Sequence, residues 1–556
     1  MKEMQSAPHP PAAKALRSSR RFPPSADPAS PKADVPRPSP AKPRAICKPL
    51  FSDMDSFARQ GLTALPRILD EIMPLNATRR RDLPAACREL SALLTTDRAD
   101  LSQPYWTTPR LTSAYLRYFM PWNLIRLLPL LPSLPLTLPA ASSTPCAEGE
   151  RVLVVDLGSG PFTLPLALWL SRPDFRAAPI TLVCADTAPH PLHLGRDILE
   201  LMRRELDPSS PWEILALRAP LGQALRRLRG RPWLISAGNV LNELEEKSRR
   251  PGAWQGKICA FAENAARLLL PGGFLFGLEP GTRQGAKLIR ALREAAMYGE
   301  LPDPADFGDD TGDDSPAVDA HLRGVPARLP LPPEEWTATP RLTPLSPCPH
   351  AGSCPLDRPG NSAWCHVNAP AADVPDELRS LSRRAGLDKD SVSLSFLLMR
   401  RPDERKPASP APHPDTLPAR LLSEPFILPD RPGRARYACT SRGLTLVPDC
   451  AALPPGALCE VENSPRPPRD RKSGAMILPL ASLPEPAPNK HSIPRPNGEQ
   501  KNSFSGTAFN KRARVSRSDG GRRAEAPRQD KASEPRKPTS RKKFPNPQTG
   551  GARRQA

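Results

Sequence analysis

An acidic residue and two glycines are spaced as a ligand-holding turn requires in Asp156-Leu157-Gly158-Ser159-Gly160-Pro161-Phe162-Thr163. The apolar run Arg151-Val152-Leu153-Val154-Val155 feeds directly into this turn, and a helical pattern follows it. Glycines there let the backbone approach a ligand, and the helix beyond presents unpaired amides and partial positive charge. The next apolar run ends in Asp186, where a carboxylate is placed to accept both hydroxyls of a ribose. A fourth run enters Ser236-Ala237-Gly238-Asn239-Val240-Leu241-Asn242-Glu243-Leu244, with Asn239 at the edge where open α/β sheets hold ligands. Asp156, Gly158, Gly160, Asp186 and Asn239 are therefore the candidate cofactor-binding residues. Asn239 and Glu243 are polar enough to position a base, but the pattern identifies no proton acceptor, so no catalytic residue is assigned.

A second group of reactive side chains lies far along the chain. Between 345 and 366, Cys348, Cys354 and Cys365 fall in one proline- and glycine-rich loop with His350 and His366 beside them. Thiolates this close, in a loop without a core of its own, suggest a metal that folds the segment. Sulfur is soft enough for zinc or for an iron–sulfur cluster. The Cys-x2-Cys pairs usual in structural zinc sites are missing, and so is the close-set three-cysteine motif of radical enzymes. A zinc site would use His350 or His366. Cys184 and Cys259 sit in apolar patterns and read as core thiols.

These residues need a scaffold, and the pattern between 149 and 300 supplies one. Short apolar strands are expected at Arg151–Val155, Ile180–Ala185, Glu213–Leu217, Trp233–Ala237 and Phe274–Leu278. Helical stretches alternate with them at about 163–171, 191–205, 221–229, 253–270 and 284–298, which implies a parallel sheet covered on both faces. Ser391–Met399 reads as a late strand of the same sheet. Upstream, 49–148 reads as a helical domain that faces a partner, ending in a linker from about 127. The stretch 301–344 reads as an acidic, proline-rich linker. Its 303–319 portion holds seven aspartates and no Lys or Arg, without the glutamate that a calcium loop of the EF-hand kind needs. The expected segments are completed by 345–460, cysteine-rich with the late strand, and by two basic ends, 1–48 and 461–556.

Composition explains those ends. Proline supplies 77 of 556 residues and aromatics 5%, so a good part of the length cannot form packed core. Residues 491–556 hold 17 Lys/Arg against 5 Asp/Glu, and residues 1–45 hold 9 against 3, which accounts for most of the net charge of +21. Such segments bury too little apolar surface to offset chain entropy and are expected to be disordered. Clusters such as Lys511-Arg512-Ala513-Arg514 neutralise phosphates, which suits RNA as a non-specific partner. The apolar run Leu124–Leu138 is broken by Pro129, Pro132 and Pro135, so no membrane span is expected. With no export signal, the 11 cysteines point to reduced thiols or metal ligands. A cytoplasmic location is expected, with the mitochondrial matrix as the alternative because the start is arginine-containing and acid-poor.

The loop, Asp186, the edge at Asn239 and the helix–turn–strand Leu268-Leu269-Leu270-Pro271-Gly272-Gly273-Phe274 together resemble the class I S-adenosylmethionine-dependent methyltransferases. An acidic residue opening Asp-x-Gly-x-Gly fits them, whereas Pro161-Phe162-Thr163 offers no third glycine for a pyrophosphate. The resemblance implies a Rossmann-like α/β fold with S-adenosylmethionine as cofactor. Many such enzymes carry a third glycine where Phe162 stands, so its ring is expected to narrow the methionine pocket. The Asn-Pro-Pro-aromatic motif of amino-methylating members is absent after the fourth strand.

Pro347-Cys348-Pro349-His350, Cys354-Pro355 and Trp364-Cys365-His366 carry a closer resemblance, joined by Asn239–Leu244 and the strand ending Met399-Arg400-Arg401. Over about 50–450 the chain resembles the small-ribosomal-subunit methyltransferase-like family of bacteria and mitochondria. That resemblance implies binding to the nascent small ribosomal subunit and its RNA, and a 4Fe-4S cluster on four cysteines. It places the fourth ligand after the late strand, among basic residues and a glycine, where Gly433–Gly443 contains Cys439. Cys450 and Cys459 compete for that role. Two functions follow: a methyltransferase acting on small-subunit ribosomal RNA, or a non-catalytic assembly factor that keeps the fold and cluster as an RNA-binding scaffold.

Overall fold

The computed structural model describes residues 47–95, 105–139, 151–246, 253–298, 341–356, 364–403, 415–428 and 433–481. All of them fall in one compact unit. Most of the basic ends and the acidic stretch 303–319 lie outside the described residues.

The chain enters through a short strand, β1 (Cys47–Lys48), and then helices α1 (Ser56–Ile72) and α2 (Ala77–Thr95). Asp55 caps α1 by accepting from the Ala58 amide at 2.7 Å, and Ala58, Leu62, Leu65 and Leu69 line its buried face. After α3 (Pro109–Ala114) a π turn leads into α4 (Met120–Leu127). These helices share one apolar core with the sheet that follows: α1 packs on helices of the sheet's face, and Trp122, Leu124 and Ile125 of α4 are buried in the same cluster as Leu394 and Phe396 of a sheet strand. The helical segment is therefore a cover of the sheet and not a separate domain facing outward. The linker expected from 127 is also corrected in its described part. Leu128, Leu130, Leu131, Leu134 and Leu136 are buried, because the prolines there stop a long helix without stopping irregular backbone from packing apolar side chains.

The central sheet is laid down by β2 (Val152–Leu157), α5 (Thr163–Ser171), α6 (Pro173–Ala177), β3 (Ile180–Asp186), α7 (Pro189–Leu206), β4 (Glu213–Arg218), α8 (Leu221–Arg226), β5 (Leu234–Gly238), α9 (Leu241–Glu246), α10 (Ala253–Leu268), β6 (Phe274–Pro280) and α11 (Arg283–Tyr298). Near-continuous apolar runs such as Val-Leu-Val-Val suit strands buried on both faces, which is how they are used. Then come β7 (Thr343–Ser346), β8 (Val367–Pro370), α12 (Asp376–Ala385) and β9 (Ser391–Arg400). The order is β4-β3-β2-β5-β6-β9-β7, with β8 also on β9; β4 through β6 are parallel and β9 is antiparallel. The direction of winding reverses between β2 and β5, which opens a crevice at their carboxyl ends.

Beyond this lies a second, mostly antiparallel sheet that the sequence reading did not separate. It comprises β10 (Thr416–Leu421), β11 (Phe426–Ile427), β12 (Arg434–Thr440), β13 (Gly443–Pro448), β14 (Leu458–Glu462) and β15 (Met476–Ile477), with β1 on its edge against β14. Its own core holds Leu417, Leu421, Val447, Val461 and Leu478. Ordered structure thus runs to Ala481, past the 461 boundary set for the basic tail.

Candidate functional site

The glycine turn sits at the switch point and is closed by the chain's own polar groups. Asp156, at the end of β2, is 2% exposed, and its carboxylate accepts from the Ser236 hydroxyl of β5 at 2.6 Å and from Ser159 at 2.7 Å. Burial pushes its pKa up to about 6, with the two hydroxyls pulling the other way. Asp156 therefore ties β2, the turn and β5 together, a correction to its expected place against the ligand: the side chain that opens the turn is folded under it. Gly158 and Gly160 hold φ of +66° and +50°, in the left-handed region that disfavours a Cβ. At Gly158 a Cβ would also lie 2.5 Å from Val240, so the turn rests directly on the segment after β5.

Asp186, at the end of β3, spans the crevice from the other side. One carboxylate oxygen accepts from the Gly160 amide at 2.9 Å and the other from the Ala188 amide at 2.9 Å. Burial raises its pKa against the pull of those amides. The second lone pairs of both oxygens remain available for ribose hydroxyls. Asn239 adopts φ +57° and donates its amide to the Leu278 carbonyl at 2.7 Å; buried Glu279 accepts from Leu241 at 2.8 Å and fixes the start of α9.

Phe162 departs from expectation. It adopts φ +59°, the conformation a glycine would take there, but its ring is fully buried and turned into the core against α7. A Cβ on Gly195 would fall 2.6 Å from the Phe162 ring. The ring fills the space behind the turn and does not narrow the crevice in front of it.

Two aromatic residues that sequence reasoning missed cover the turn. Trp106 lies 3.7 Å from where a Gly160 Cβ would stand, and its ring packs on Tyr115 with centroids 4.7 Å apart. Burial and the Asp186 carboxylate together push the Tyr115 hydroxyl up to about 12. The available signal was the crowding of Tyr105, Trp106, Tyr115, Tyr118 and Phe119 in a chain with so few aromatics.

The cysteines converge from both sheets. Cys348 and Cys354 follow β7, Cys365 precedes β8, and Cys439 sits on β12 opposite Arg420 of β10. The 345–366 loop is thus anchored at both ends by strands paired to β9, contrary to a segment with no support of its own. Burial raises the Cys439 thiol, and Cys348, Cys365 and Cys354 raise it further; Cys365 responds in the same way to Cys348 and Cys354. His350 Nε2 lies 3.1 Å from Cys439 Sγ. His366 instead stacks on Trp364 at 5.2 Å. Cys450 and Cys459 belong elsewhere: Cys459 is influenced by Cys450 and Cys47, and pairs with Cys47 across the β1–β14 ladder. Among the described residues, no three Cys, His, Asp or Glu side chains stand in the arrangement of a single-ion site. Cys184 is a buried core thiol and Cys259 a half-buried one.

No helix among the described residues is long and apolar enough to cross a membrane. The chain matches no protein-family model and no curated protein. Among solved structures it is similar over part of its length to TrmN from Thermus thermophilus, with 23% identity over 25% of this chain and 36% of that one, at a TM-score of 0.19. It is similar to the precorrin-6y C5,15-methyltransferase of Geobacter metallireducens GS-15, with 14% identity over 26% of this chain and 63% of that one, at 0.19. An S-adenosylmethionine-dependent methyltransferase from Clostridium acetobutylicum ATCC 824 gives 11% identity over 25% and 47%, at 0.18. The chain therefore spans less than two thirds of each of these proteins.

Proposed function

We propose that this protein is a class I S-adenosylmethionine-dependent methyltransferase-like protein acting on small-subunit ribosomal RNA during ribosome assembly. The observation that carries this reading is the Asp156–Gly160 turn at the β2/β5 switch point, drawn closed by Asp186 from the end of β3. When bound, the cofactor supplies an electrophilic methyl group on a sulfonium. Asp186 would hold its ribose, the backbone of Gly158 to Gly160 its amino-acid end, and Asn239 the base of the crevice, with Trp106 and Tyr115 excluding water from above. The RNA partner is supported by the cysteine-loop motifs and by the excess of Lys/Arg at both ends of the chain.

The four thiols fit a 4Fe-4S cluster better than zinc. A cluster binds each thiolate to a different iron, so its ligands surround more space than those of one ion. Four mutually influencing thiols that do not form a single-ion site match that demand. Cys348, Cys354, Cys365 and Cys439 would be the ligands, with zinc on the thiols and His350 as the competing occupant.

A non-catalytic scaffold is the second reading, and one observation favours it. Asp156 and Asp186 are both engaged by the chain's own hydroxyls and amides, which suits holding a turn more than moving a proton. Transfer of radiolabelled methyl groups to immature small subunits by the full-length protein separates the two. Label in RNA that disappears with Asp186→Ala establishes the enzyme. Cofactor binding without label establishes the scaffold, and absence of both refutes the cofactor reading.

A further inference from the structure

Arg293 on α11 is 2% exposed and faces the cysteine loop. Its Nη2 donates to the carbonyls of His350 at 3.1 Å and Gly352 at 2.6 Å, which ties the helix to the segment between Cys348 and Cys354. Its buried Nε and Nη1 find no hydrogen-bond partner. Among the described residues no carboxylate lies within ion-pair distance of it. Arg420 on β10, 6% exposed, is similar: it donates to the carbonyls of Pro347 at 2.9 Å and Gly456 at 2.8 Å, again without a carboxylate.

A guanidinium stays charged in a protein, and a buried charge with only carbonyl dipoles around it is costly unless an anion offsets it. The groups that can become anionic here are the thiols. The Arg293 charge acts on Cys348, Cys354, Cys365 and Cys439 alike, and the Arg420 charge on Cys348, Cys365 and Cys439. A structural arginine serving only to pin the loop would need its two carbonyl bonds and no anion.

We propose that Arg293 is a positioning residue of the four-cysteine centre: it supplies the counter-charge to a metal–thiolate group held there and raises that group's reduction potential. This rests on the cluster reading above. Reduction adds negative charge to the group, so a fixed cation beside it favours the reduced form. Arg420, on the opposite side, would share the task.

The test uses full-length protein purified without oxygen, as wild type, Arg293→Gln and Arg293→Lys, with iron and zinc assay, chelator challenge and a redox titration followed by electron paramagnetic resonance. Circular dichroism confirms that the variants fold. The wild type is expected to hold iron. Arg293→Gln should shift the reduction equilibrium at least tenfold toward the oxidised form, about 59 mV for one electron, and Arg293→Lys should recover most of that shift. If Arg293→Gln loses iron to the chelator and Arg293→Lys keeps it, the counter-charge is equally supported. An unchanged potential at full iron overturns the role of Arg293 and leaves the cluster standing, and so does equal loss of iron from both variants. Zinc without iron in the wild type overturns the cluster reading, and the redox role with it.

Discussion

Replacing Asp186 by alanine removes two contacts at once: the acceptors of the Gly160 and Ala188 amides, each at 2.9 Å. Hydrogen bonds to a charged group contribute roughly 1.5–3 kcal/mol each, but the buried carboxylate also carries a desolvation cost that the substitution relieves. The net loss of stability should therefore be close to one such bond, about 1.5–3 kcal/mol. For a folded unit of this size that lowers the melting temperature by about 3–6 °C. Cofactor affinity should fall separately, by about 10- to 150-fold, because the ribose loses its charged acceptor. Asp186→Asn keeps one acceptor oxygen and should recover about half of the stability while regaining little affinity. Thermal melting and calorimetric titration with S-adenosylmethionine read the two effects independently. If Asp186→Ala melts like the wild type and binds the cofactor as tightly, Asp186 neither closes the turn nor meets the ribose, and the crevice has been misplaced.

Three further outcomes are expected. Folded Asp156 keeps its proton to about pH 6 whereas the unfolded chain releases it near 3.8, so its contribution is present below about pH 4 and is lost as pH rises through 6, a change of about 3 kcal/mol. Denaturant midpoints of wild type and Asp156→Asn, compared at pH 4 and pH 7, should converge or diverge by that amount; parallel curves refute it. Gly195→Ala places a methyl 2.6 Å from Phe162 and from the Pro161 backbone and should cost about 1–3 kcal/mol, while Phe162→Ala should cost about 3–5 kcal/mol with no gain in cofactor affinity. A gain in affinity would return the ring to the pocket. Serine at Cys348, Cys354, Cys365 or Cys439 should abolish binding of about four irons per chain, and serine at Cys450 or Cys459 should not. Iron assay decides, and loss with Cys459→Ser would reassign the fourth ligand.

The parallel sheet was legible because its strands are unbroken apolar runs bounded by glycine and proline: Val152–Leu157, Ile180–Asp186 and Phe274–Pro280 differ from expectation only at their ends. The turn was legible because its glycines sit where backbone geometry demands them. The direction of the Phe162 ring was not, since a positive φ swings the side chain away from the face a helical reading assigns it. The second sheet was hidden because strands such as Leu417-Pro418-Ala419-Arg420 and Arg434-Ala435-Arg436-Tyr437 mix proline and arginine into their faces. Arg420 and Arg436 are nonetheless buried, held by carbonyls, and alternation of apolar and polar residues cannot reveal a buried arginine. The core role of Leu128–Leu136 was obscured for a related reason: prolines erased the helical period while the leucines still packed.

The central claim is that the crevice at the β2/β5 switch point holds S-adenosylmethionine, and calorimetric titration of the full-length wild-type protein with that ligand tests it most directly. Saturable binding at one site per chain, with the demethylated product S-adenosylhomocysteine competing for the same site, is the result predicted. No binding of either ligand to folded, metal-replete protein would contradict it.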